Sequence, residues 1–141
     1  MEYRKCGHTF ILRLDPGDEI ISSLTALAEN ENIRTARVQG LGASNHAKIA
    51  LYDLEKKEFH RKTLDVPMEI ASLNGNIARK DGEPYLHVHI GLATPDLSLF
   101  GGHLVECVIS VTAEIFVDVL DCETGRRFDE KTGINIFDFV S

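Results

Sequence analysis

Apolar positions along this chain change their period near residue 33. Before it, Ile20, Ile21, Leu24, Leu27 and Ala28 recur at helical spacing, which predicts one helix. Asp15 suits the N-cap, Pro16 the first helical position, and Asp18 and Glu19 the positive end of the helix dipole. The polar cluster Asn30, Glu31 and Asn32 ends the pattern, and residues 8–14 upstream read as extended. Beyond residue 33 the period drops to two. Strands are expected over residues 35–41, 47–54, 58–64, 68–77, 85–93 and 104–120, with a short tail strand over 134–139. Turn-forming clusters separate them: Gly40 to Asn45, Glu55 to Lys57, Lys80 to Pro84, and Glu123 to Gly125. One helix and many short strands predict an α+β fold, a mainly antiparallel sheet with one main helix packed against it.

Composition narrows the class. With 141 residues, 43% hydrophobic and 26% charged, the chain suits a single domain spanning residues 1–141. Folding at this size removes roughly 68–70% of the unfolded surface from water, so the core needs no metal or disulfide to form. A bound metal would therefore serve function. The net charge of −7, with basic residues interleaved among acidic ones, argues against a broad phosphate-binding face. Cys6, Cys107 and Cys122 are odd in number and lack CxxC spacing, as expected of reduced thiols. Phe10-Ile11-Leu12 is too short for a secretory signal, and no apolar stretch approaches the ~20 residues of a membrane span. The expected location is the cytoplasm, with no membrane partner.

The chemistry concentrates in Leu86-His87-Val88-His89-Ile90. Strand alternation sends the three apolar residues to one face and both histidines to the other. Residues i and i+2 lie roughly 6.6–6.8 Å apart on a strand, close enough for two imidazoles to lean toward one ion. His103 follows Gly101-Gly102 and opens the next strand. If residues 94–102 connect antiparallel neighbours, it lands beside the pair. His87, His89 and His103 then form an open three-nitrogen set suited to zinc, with nickel, cobalt or copper chemically allowed. Spacing alone leaves open a second reading, three ordinary strand histidines bonded to backbone or solvent.

Other candidates carry less. Cys107 shares the parity of His103 on a regular strand and is a candidate fourth ligand, though two strand steps away. Glu69 and Glu114 sit in apolar strands and either face solvent or serve as hydrogen-bond acceptor or general base near the metal. His8, His46 and His60 lack partners at ligand spacing. Gly40-x-Gly42 opens no helix, and neither GxSxG nor GxxxxGK[ST] occurs.

Taken together, Arg13 to Glu19, Ile33 to Ala36, Gly40 to Ala43, Glu69 to Ala78, Leu86 to His89, Gly101 to Leu104 and Thr112 to Ile115 resemble the plants-and-prokaryotes-conserved domain, PPC or PCC, in the same order. The resemblance implies a compact α+β homotrimer and, in stand-alone prokaryotic members, a metal at histidines matching His87, His89 and His103. In plant relatives an AT-hook accompanies the domain and enters the minor groove. This chain has no Arg-Gly-Arg-Pro core; its nearest approach is Gly125-Arg126-Arg127. The DNA-binding label common among such homologues thus attaches to a segment that this sequence does not contain.

Three functions follow. The first is a metal-binding homotrimeric regulatory or protein-interaction domain, with zinc as the expected ion. The second is a zinc-dependent hydrolase or lyase using an open three-histidine site on a small polar substrate. The third is direct DNA binding, which the charge and the missing AT-hook oppose.

Overall fold

The computed structural model describes residues 1–139; Val140 and Ser141, within the expected single domain, lie outside the described residues. Among the described residues nine strands and one helix follow in order: β1 (Glu2–Cys6), β2 (Thr9–Leu14), α1 (Ile20–Asn30), β3 (Ala36–Asp53), β4 (Glu58–Leu64), β5 (Met68–Lys80), β6 (Glu83–Ala93), β7 (Leu99–Val119), β8 (Gly125–Asp129) and β9 (Ile134–Asp138). Every pairing is antiparallel except a short parallel contact of β5 with β8. The fold is the expected α+β arrangement. Among the described residues no helix is long and apolar enough to cross a membrane.

Four strands close on themselves, because β3 pairs with β5, β5 with β6, β6 with β7, and β7 with β3. The closed ring encloses a core that includes Val38, Leu73, Ile77, Val88, Ile90, Ile109, Ile115 and Val117. The helix adds Ile20, Leu24, Leu27 and Ala28, the stripe that its periodicity predicts.

Two local readings are corrected. The Gly40 to Asn45 segment does not reverse the chain; it runs through the middle of the 18-residue β3. A Cβ at Gly40 would lie 2.8 Å from the Glu114 carbonyl oxygen, so glycine serves close strand approach at a register shift rather than a turn. The helix also begins later than Asp15 and Pro16 suggest. Gly17, at φ +93°, sits in a turn closed by the Asp18 N–H donating to the Asp15 carbonyl, and Glu19 is the N-cap. Its carboxylate accepts from Ile21 N at 2.9 Å and Ser22 N at 2.7 Å.

Candidate metal centre

The histidine trio is built at the closure of the ring. In β6, Val88 and Ile90 are buried and Leu86 packs against the core, which turns His87 and His89 outward. His89 lies directly opposite His103 in the β6–β7 register. Cross-strand partners share a face, so three imidazoles from two strands meet. Gly102 makes the junction possible, because a Cβ there would stand 2.6 Å from the Ala50 carbonyl oxygen across β3.

One ring nitrogen from each histidine lies within 4.8 Å of the other two. The Nε2 atoms of His87 and His89 are 3.2 Å apart, close to the edge of about 3.3–3.4 Å that tetrahedral geometry sets for N–metal distances of 2.0–2.1 Å. Burial, followed by the neighbouring His103 and His89 and by Arg126, pushes His87 down to about 4. Burial, then His89, lowers His103 as well. These two imidazoles are therefore neutral and ligand-ready at neutral pH. The donor set fits a borderline ion such as zinc and does not suit calcium or magnesium, which require oxygen ligands.

The trio faces a cleft of about 630 Å³. Tyr52 and Phe59 flank it from β3 and β4, Tyr85 from β6, and Phe128, Ile134 and Asn135 from β8 and β9. The β8–β9 hairpin is fastened down: the Tyr52 hydroxyl donates to the Thr132 carbonyl at 2.7 Å, and Lys57 Nζ donates to the Glu130 carbonyl at 2.8 Å. No carboxylate lines the cleft among the described residues.

Cys107 is not brought to this site. One residue of β7 is accommodated as a bulge where Lys48 pairs with Glu106 and Ile49 with Leu104, which flips the parity expected from His103. Cys107 is thus buried in the core, where burial pushes its thiol up to about 11. Glu69 and Glu114 are exposed and line no part of the cleft. His8 is exposed, His46 Nδ1 meets Asp65, and His60 Nε2 lies 3.3 Å from Asp53.

Sequence reasoning missed the aromatic walls and Arg126. Tyr85 was within reach of the alternation argument, since it stands two residues before His87 on the same face. The others arrive from segments whose docking no local pattern encodes.

A closed antiparallel ring, one covering helix and an open trio of imidazoles define a small domain with a candidate metal site. Residues 1–121 match the model of the Plants and Prokaryotes Conserved (PCC) domain, and the chain belongs to that family. It is similar to a metal-containing protein of Archaeoglobus fulgidus, at 38% identity over 99% of this chain and 97% of that one, with a TM-score of 0.86. It is also similar to a plant- and prokaryote-conserved protein of Pyrococcus horikoshii, at 30% identity over 99% and 96% of the two chains, TM-score 0.86. A Bacteroides thetaiotaomicron protein, whose name proposes DNA binding, is 29% identical over 98% and 96%, with a TM-score of 0.95. Among curated proteins none matches the chain.

Proposed function

We propose that the protein is a zinc-binding homotrimeric PCC-domain protein acting as a regulatory or protein-interaction domain in the cytoplasm. The observation that carries the metal is the convergence of His87, His89 and His103 nitrogens within 4.8 Å. The name of the Archaeoglobus fulgidus relative supports it. His87, His89 and His103 would hold the ion, which when bound supplies a Lewis-acidic centre facing the cleft. The chain's own part is to fix the three rings through the β6–β7 register and to keep two of them neutral.

Self-association is supported by the outer face of the sheet. Ile11 pairs with Phe116, and Leu41 stands opposite Glu114 in the adjoining rows; all three apolar side chains are exposed, as is Val111 on β7. A closed cyclic assembly covers such a face without leaving a free edge.

The cleft favours a second reading, a zinc-dependent hydrolase or lyase acting on a small polar substrate. Its described lining offers no carboxylate as general base, so interaction stands first. The decisive experiment is elemental analysis of protein expressed with zinc. About one ion per chain is expected, and His87→Ala, His89→Ala or His103→Ala should each remove most of it, because three ligands leave no redundancy. A metal-free wild type, or a triple variant with undiminished zinc, contradicts the proposal.

A further inference from the structure

A divalent ion held by three imidazoles, which are neutral donors, would keep its whole charge, and no carboxylate lines the cleft in front of them among the described residues. A second cation stands close by. The Arg126 guanidinium donates to Asn76 Oδ1 at 2.6 Å, and Asn76 is the direct cross-strand neighbour of His87. Arg126 also lies over the rings of Phe137 at 4.1 Å and Tyr85 at 5.1 Å. Arg34 pairs with Glu123 and Arg127 with Asp138, whereas Arg126 has only neutral partners among the described residues, and its Nε is buried without one. A bound ion would favour an incoming anion, and Arg126, which lines the neighbouring hollow with Asp81, Glu123 and Asp138 rather than the cleft itself, adds its charge from behind Asn76 and Tyr85.

The walls specify the rest of the ligand. Phe59, Phe128 and Ile134 present apolar surface, the Tyr52 hydroxyl is spent on the Thr132 carbonyl, and the Tyr85 oxygen accepts from Asn135 at 3.4 Å with its own O–H left to donate. Such walls suit a flat apolar body. A volume of about 630 Å³ accommodates a ligand of drug-like size or less.

We infer that the cleft binds a small aryl carboxylate, with its carboxylate directed to the histidine trio and its ring held between the aromatic walls. Arg126 acts as a positioning charge. The inference rests on the metal reading above and names the ligand class of that site.

The test titrates benzoate, acetate, benzamide and inorganic phosphate into zinc-loaded protein by calorimetry at neutral pH, after zinc content has been measured. Benzoate is expected to bind at least about tenfold more tightly than the other three. Phe128→Ala should remove most of the advantage of benzoate over acetate; Phe128 is 59% exposed, so its truncation leaves folding intact. Arg126→Gln should weaken benzoate about five- to tenfold, with little effect on benzamide, and Arg126→Lys should restore most of the loss. Protein stripped of zinc should lose benzoate binding. Benzamide binding as tightly as benzoate, phosphate binding more tightly, or benzoate binding unchanged by zinc removal would overturn the inference. A fully zinc-loaded protein that ignores benzoate overturns this inference alone, whereas a chain that takes up no zinc overturns it together with the metal reading.

Discussion

His87 is held near 4 chiefly because burial penalises its charged form, with the adjacent imidazoles and Arg126 adding to the effect. His103 is lowered for the same leading reason. In the unfolded chain both return to the ordinary histidine range near 6.5. Between that value and about 4 the unfolded state binds protons that folded His87 refuses, so metal-free protein should lose stability as pH falls across this window. Urea denaturation at successive pH values checks the sign; stability that rises on acidification from 6.5 toward 4 would contradict it. Bound zinc should be lost as pH falls into the acidic range, because protons compete with the ion for the ring nitrogens and three ligands leave no redundancy; elemental analysis after dialysis at successive pH values checks this. The trio was legible in sequence because alternation and a glycine-preceded strand opening are local facts. Arg126 and Phe128 were not, since the hairpin bearing them reaches the cleft only through long-range bonds such as Lys57 to Glu130.

At the scale of elements, Glu19 joins the helix to the sheet. Its carboxylate caps α1 through Ile21 and Ser22, and Oε1 also accepts from Cys107 N at 3.1 Å. Glu19→Ala should therefore lower folding stability by about 1–2 kcal/mol, the range for a lost cap, without changing zinc content. Chemical denaturation and elemental analysis of the same preparation check both halves. The helix stripe was readable from periodicity, but its start was not. Asp15-Pro16 carries a plausible cap chemistry, while the positive φ of Gly17 makes that segment a turn and shifts the cap to Glu19. The same logic explains β3. Glycine can mark either a turn or a close approach, and only the neighbouring β7 backbone distinguishes them. Parity across β7 failed beyond Leu104 because a bulge is not written in the apolar pattern, and Cys107 went to the core rather than to the histidine trio.

For the whole molecule, the exposed apolar face and the charge pull toward different partners. Multi-angle light scattering should give a mass three times that of the 15.7 kDa chain; monomer mass under dilute native conditions would contradict the trimer. Three chains at −7 give −21, a charge that repels a polyanion unless arginines cluster. Where Arg34, Arg79 and Arg126 do gather, Asp81, Glu123 and Asp138 line the same hollow, so the patch is not basic. Fluorescence anisotropy with A·T-rich duplex DNA at physiological salt should therefore show no binding tighter than the roughly 10⁻⁴–10⁻⁶ M of non-specific contacts. Sub-micromolar, salt-sensitive binding that prefers A·T would overturn this. Ring closure itself was not legible, because it depends on β7 pairing with β6 at one end and β3 along its length.

The most direct test of the metal centre is anomalous diffraction from crystals of zinc-grown protein, with data collected on both sides of the zinc edge. The account predicts one strong peak per chain between the ring nitrogens of His87, His89 and His103, at about 2.0–2.1 Å from each. A zinc peak elsewhere with the trio bare, or no peak despite zinc during growth, would contradict it.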